Sequence, residues 1–217
     1  MKLRFLVFVL LLAIGISVAY VMLDKPKRLK VFNPAELNPE VVDESLRTVF
    51  SNHRIGSFSL TDQQGKTVTE KDFDQKVYVA DFFFTTCPSI CIDMSKHLML
   101  VQEAFETNND VKILSHTVQP EVDSVPVLAE YADRHGAIPN KWMFVTGDKK
   151  QIYSLARKAY FAVKSEGTGD ASDFIHTENF VLIDKEKRIR GFYDGTSEED
   201  VERLIEEIEI LLEEYEE

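Results

Sequence analysis

Residues 77–84, VYVADFFF, constrain the fold more than any other stretch: seven apolar residues and one aspartate with no alternation. A strand with one wet face alternates apolar and polar residues, so an unbroken run predicts a strand covered on both faces. Met94, Leu98, Val101 and Phe105 then recur at spacings of three and four, a helical stripe. The alternation continues with a strand over 111–118, a helix over 124–136 closed by Gly136, a short strand over 142–148 and a helix in KKQIYSLARKAY. NFVLIDKEKRIRGFYDG pairs two strands around a charged turn at Asp184 to Lys187. A last helix is capped at Ser197 and carries Val201, Leu204, Ile208, Leu211 and Tyr215 on one face. Ahead of these elements, residues 54–73 read as a hairpin with Gly65 in its turn. The order predicts an α/β sandwich with a mixed sheet.

The only two cysteines, Cys87 and Cys91, fall four positions apart where the first long strand hands over to its helix. In such sheets, reactive groups gather at the carboxyl ends of strands. Cys87 is expected just before the helix and Cys91 one turn inside it, on a shared face. Free N–H groups and the helix dipole there favour thiolate, and Pro88 suits the first turn. A structural disulfide, a redox couple, a metal site and coincidence all remain open. A bridge across three residues removes little chain entropy, which ranks the structural disulfide low. Two thiolates make a seat for a soft metal, with Cu(I), Zn and Fe–S clusters all selected by sulfur ligands, yet they are too few for structural zinc, so a further ligand is needed.

Five histidines compete for that place. His97 reads as surface or packing, His53 lies at the domain edge, His116 reads as a core histidine in a strand, and His135 precedes Gly136. His176 follows an irregular loop, 165–173, and immediately precedes a strand, so it is positioned by the scaffold yet accessible. With Gly167 and Gly169 and no apolar periodicity to tie it down, that loop is expected to be mobile without metal.

The formal net charge of −12 argues against nucleic acid as a partner. Residues 198–217 hold eleven of the acids against Arg203 alone, so the rest of the chain is nearly neutral. Lys2 and Arg4 precede nineteen uncharged residues, Phe5 to Leu23, close to the ~20 a membrane-spanning helix needs. Ser17-Val18-Ala19 resembles a cleavage site, but the run exceeds a usual signal core of ~7–15 residues, which favours an uncleaved anchor. The basic flanks, Lys25, Lys27, Arg28 and Lys30 against Lys2 and Arg4, leave its orientation open. No cysteine stands near it for lipid modification. The chain thus divides into a membrane anchor or signal segment (1–23), a tether with Pro26, Pro34 and Pro39 (24–50), and a domain (51–217).

DFFFTTCPSIC (81–91), GDKKQIYSLARKAY (147–160) and DFIHTENFVLIDKEKRIRGFYDG (173–195) resemble the three signature blocks of the Sco/SenC family. The similarity extends from about residue 31 to the carboxyl terminus, and NPAELNPEVVDESL resembles a bacterial branch seen in Bacteroidetes. The resemblance implies a thioredoxin-like sandwich with a mixed central sheet flanked by helices, preceded by one transmembrane helix. It implies a copper metallochaperone, with Cys87, Cys91 and His176 as ligands for Cu(I) or Cu(II), serving the binuclear copper centre of cytochrome c oxidase. The implied partner is the copper-bearing oxidase subunit, with other periplasmic copper chaperones or thiol reductants beside it. The implied location is the inner membrane, single-pass, with the domain facing the periplasm. One departure stands out: QPEVD (119–123) keeps Pro120 and Asp123, but Gln119 replaces an acid found in many relatives. Two other functions are weighed. A thiol–disulfide oxidoreductase would use Cys87 and Cys91 as its redox pair on oxidase-subunit cysteines. A peroxiredoxin-like peroxidase would need an arginine near Cys87, and the nearest in sequence are Arg54 and Arg134.

Overall fold

The computed structural model describes Leu12, Gly15 and residues 28–216 apart from Thr168 and Ala171. The anchor expected at 5–23 therefore lies outside the described residues save for those two positions. Among the described residues no helix is long and apolar enough to cross a membrane.

Among the described residues seven strands form one sheet: β1 (Ser59–Asp62), β2 (Thr67–Thr69), β3 (Val77–Phe83), β4 (Val111–Thr117), β5 (Trp142–Thr146), β6 (Asn179–Ile183) and β7 (Ile189–Asp194). Their order is β2-β1-β5-β4-β3-β6-β7. The central trio β3, β4 and β5 is parallel, and the strands flanking it on both sides run antiparallel. The helices are α1 (Ile90–Ala104), α2 (Val125–Arg134), α3 (Lys149–Ser154) and α4 (Glu198–Glu213). The sheet is mixed and covered on both faces, as the sequence predicts.

The unbroken run in β3 has a simple cause. Val77, Val79 and Phe83 point into one core with Met94, Leu98 and Val101 of α1 and Val201, Leu204, Ile208 and Leu211 of α4. Tyr78, Ala80 and Phe82 point into the opposite core with Ile152, Tyr153 and Tyr160. Every residue of β3 is buried, because successive side chains of a strand leave by opposite faces. Truncating a fully buried side chain such as Leu98 to Ala costs about 2–5 kcal/mol.

Three stretches differ from the sequence reading. The helix in KKQIYSLARKAY is regular only to Ser154 and then widens into a π-helical turn, Leu155–Ala159, in which Tyr160 N–H donates to the Leu155 carbonyl at 2.9 Å. Leu155, Ala156 and Arg157 are consecutively buried there, a wider buried arc than the single stripe of a one-faced helix. Helix α1 begins at Ile90, with Pro88 outside it and Ser89 at the cap position. Cys91 is therefore the second helical residue instead of one turn in. Finally, the described part of the expected tether lies against the domain. Val42 is fully buried, Phe32 bridges to Ile189, and the buried Arg190 donates to the carbonyls of Leu29 and Lys30 while pairing with Glu214. Its apolar residues carry no period because two 3-10 turns, Pro34–Glu36 and Glu44–Leu46, place them singly.

Candidate metal centre

The chain leaves β3 at Phe83 and turns at once: Cys87 N–H donates to the Phe84 carbonyl at 3.2 Å. This turn rests on a buried carboxylate. Asp123, fully buried, accepts from Thr85 N–H (3.2 Å), from the Thr85 hydroxyl (2.5 Å) and from the Thr117 hydroxyl at the end of β4. The Thr86 hydroxyl donates to the Gln119 side-chain oxygen at 3.3 Å. Gln119 thus supplies an acceptor, and the loop keeps its tie. Asp123 and Thr85 lie 38 positions apart, so no local pattern announces their pairing.

Both cysteines are free thiols and buried. Their acidities are pushed apart. Burial pushes the Cys87 thiol up, but backbone N–H groups of Cys91 and Ser89, with the Cys91 and Ser89 side chains, outweigh it and leave Cys87 below its ordinary value. Burial pushes Cys91 up to about 12; the Phe84 backbone acts against this, and Cys87 and Asp81 add to it. Asp81 leaves β3 on the same face as α1. Burial pushes its carboxyl up to about 7, although the Ser115 hydroxyl, itself held by Trp142 Nε1 at 2.8 Å, donates to it. At neutral pH Cys87 is the readier thiolate and Cys91 the proton holder, the division a dithiol couple needs for attack and resolution.

The histidines sort clearly. His97 Nδ1 donates to the Gly195 carbonyl (2.7 Å) and His53 Nε2 to the Ala159 carbonyl (2.8 Å). His135 rests on the Tyr131 ring, with centroids 4.4 Å apart. His116 is sealed in the core against Phe82. Its Nδ1 donates to the Asp81 carbonyl at 3.1 Å, its Nε2 has no partner among the described residues, and burial pushes its pKa down to about 4. His176 alone is exposed with neither a hydrogen bond nor a ring contact among the described residues.

Strand register fixes where His176 lies. Val181 of β6 faces Ala80 of β3 antiparallel, so the chain before Asn179 runs past the carboxyl end of β3, the end that carries the thiols. Phe174 meets Phe84 edge-on, with centroids 5.2 Å apart, and joins the two loops. The structure thus brings Cys87, Cys91 and His176 to one pole, but not into one cluster: among the described residues no three His, Cys, Asp or Glu side chains stand close enough to hold a metal. Two soft sulfurs on adjoining turns fit copper, and the imidazole lies on the loop beside them.

Loop 165–173, expected to lack ties, has a strong one. Arg157 in the π-helical turn grips Asp173 through two bonds of 2.7 and 2.8 Å. Sequence reasoning missed Arg157, Tyr153 and Asp81, and it noted Asp123 only as kept in QPEVD, without its role under the thiol loop. Only Asp81, an acid inside an apolar run, carries a local signal. Among the described residues the two arginines weighed for the peroxidase reading are engaged elsewhere: Arg54 donates to the Glu186 carbonyl and Arg134 pairs with Glu130.

Comparison with known proteins agrees with this architecture. A Bacillus subtilis SCO1 protein homolog is 28% identical over 159 residues, covering 72% of this chain and 82% of that protein. The structure of BsSco, described as a member of the Sco family of cytochrome c oxidase assembly proteins with a disulfide switch, superposes with a TM-score of 0.63 at 27% identity, covering 74% of this chain and 94% of that one. Arabidopsis thaliana ScoI, solved with copper bound, superposes with a TM-score of 0.58 at 30% identity, covering 74% and 98%. Copper binding is therefore found in proteins of this fold and sequence. The SCO1/SenC family model matches residues 47–213, from before the first strand through the thiol loop and the His176 loop to the end of the last helix, and the chain belongs to the SCO1/SenC family.

Proposed function

We propose that this protein is a copper chaperone of the extracytoplasmic face. It holds one copper between the Cys87 and Cys91 thiolates and the His176 imidazole, and passes it to the copper-bearing subunit of cytochrome c oxidase. The single observation that carries this reading is the placement of an acidified thiol, a second thiol and an unpartnered histidine at one pole, the carboxyl end of the parallel strands, in a chain of this family. Loading displaces the Cys91 proton, so copper affinity rises with pH. Oxidation of the pair to a disulfide removes both sulfur ligands and couples loading to redox state. Residues 5–23 tether the domain to the inner membrane. Titrating the reduced full chain with Cu(I) against a chromophoric chelator tests the reading. One copper per chain is expected, with retention weakened at least about tenfold by His176→Ala and more by either cysteine change; unchanged retention in His176→Ala removes that residue from the site. A reporter fused after Glu217 that is active only in the cytoplasm would overturn the orientation.

The divided thiol acidities favour a second activity of the same pair, reduction of a disulfide in the oxidase subunit. The Cys87 thiolate attacks one sulfur of the target disulfide, the other leaves as a thiolate, and Cys91 resolves the mixed disulfide. The target gains two electrons and this chain ends as the Cys87–Cys91 disulfide. Trapping a mixed disulfide in Cys91→Ser, and none in Cys87→Ser, is the expected result.

A further inference from the structure

His176 is held by its neighbours and not by contacts of its own. On one side the Asp173 carboxylate takes both Arg157 bonds and accepts from Gly169 N–H at 2.7 Å, in a pair only 8% and 12% exposed. A side chain at Gly167, whose φ is +116°, would collide with the Arg157 guanidinium, so the loop is wrapped closely around that grip. On the other side the Thr177 hydroxyl (2.8 Å) and the Asn179 amide (2.9 Å) both donate to the Ala162 carbonyl. Only residues 174–176 lie between these anchors, and Ile175 among them is buried.

The anchors share one origin. Tyr153 and Arg157 belong to α3 and the π-helical turn, and Ala162 follows directly, its N–H donating to the Ala156 carbonyl at 2.9 Å. Arg157 is buried within the widened turn, and such turns recur at functional sites. Tyr153 reaches further. Its hydroxyl lies 3.2 Å from the Asp173 carbonyl and 2.9 Å from that of Val118. Val118 adjoins Thr117, which together with Thr85 holds the carboxylate under the thiol loop. One side chain therefore touches the supports of both halves of the candidate copper site.

We propose that Tyr153 and Arg157 are positioning residues for copper. They fix the spacing between the thiol loop and His176, so that rotation across 174–176 alone brings the imidazole to the metal while Asp173 and Thr177 stay in place. This rests on the reading of Cys87, Cys91 and His176 as ligands. It assigns Asp173 and Gly169 a latched state on Arg157 before copper arrives, with the swing confined to three residues.

A double-mutant cycle on the reduced full chain in detergent tests it, with Cu(I) affinity read by chelator competition and melting temperature followed in parallel. Tyr153→Phe and Arg157→Gln should each loosen copper about tenfold, as loss of a residue supporting a metal ligand does. In the His176→Ala background the same changes should alter affinity by less than about twofold, because the residue they act through is gone. Tyr153→Phe removes a single oxygen and keeps the test readable if Arg157→Gln fails to fold. Equal loosening in both backgrounds would mark a general packing role and overturn the proposal. Affinity unchanged in Tyr153→Phe, alongside a weakened His176→Ala, would overturn it while sparing the ligand set. Unweakened binding in His176→Ala itself would bring down the ligand set and the proposal together.

Discussion

Replacing Asp123 by alanine should cost both stability and thiol placement. The carboxylate is fully buried and accepts three hydrogen bonds, from Thr85 N–H, the Thr85 hydroxyl and the Thr117 hydroxyl. Hydrogen bonds to a charged group contribute about 1.5–3 kcal/mol each. The half-buried Thr85 can turn its hydroxyl toward water, whereas Thr117 is fully buried and cannot. Discounting for that relief, the loss is about 3 kcal/mol, which lowers the urea midpoint by roughly 1–2 M at an unchanged slope. Asp123→Asn keeps one carbonyl acceptor and should lose about half as much. Because Thr85 sets the turn that presents Cys87, its release should also slow alkylation of Cys87 at pH 7. The assay pairs urea unfolding of the reduced protein with iodoacetamide labelling. A midpoint within about 0.2 M of the parent, with labelling unchanged, would refute the carboxylate as the support of the loop.

Further predictions follow from the same geometry. In reduced protein, alkylation of Cys87 should have a pH midpoint below that of an ordinary thiol while Cys91 stays slow through pH 9; equal rates in Cys87→Ser and Cys91→Ser would contradict the divided acidities. Asp81 is raised from 3.8 to about 7 in the fold, so the folded state binds more protons than the unfolded one between those values. Its contribution is complete below pH ~4 and is lost as pH rises through about 7, and Asp81→Asn should remove that decline from the stability profile; an identical profile would refute the raised carboxyl. Glu214→Gln weakens the Arg190 grip on Leu29 and Lys30, so trypsin should cut after Lys30 faster, and an unchanged cleavage half-life would count against that clamp.

The sequence revealed those features whose cause is local. The unbroken apolar run of β3 needs both faces covered, and that requirement shows in seven consecutive residues. The stripe of α1 and the capped amphipathic α4 are likewise visible because their period is the helix's own. Cys87 and Cys91 were legible as a pair from spacing, and their place at a strand end followed from the order of elements. The supports of the site were not legible. Asp123 serves Thr85 across 38 positions, and Arg157 serves Asp173 across 16; Asp123 stood out only through the family resemblance of QPEVD, and Arg157 reads locally as an ordinary surface charge. The π-helical turn was hidden for a related reason, since one of its three consecutive buried residues is Arg157, which reads as polar in a local pattern. Residues 24–50 read as a tether because their apolar side chains follow no period in the sequence, and only the domain surface shows where Phe32 and Val42 fit.

The ligand set is the central claim, and X-ray absorption at the copper edge tests it most directly. Reduced full chain loaded with one equivalent of Cu(I) should show two sulfur scatterers and one nitrogen scatterer with the outer-ring signature of an imidazole. The nitrogen should vanish in His176→Ala, and one sulfur should vanish in Cys91→Ser. A spectrum with two sulfurs and an imidazole that persists unchanged in His176→Ala would contradict the account and assign the third ligand to another histidine.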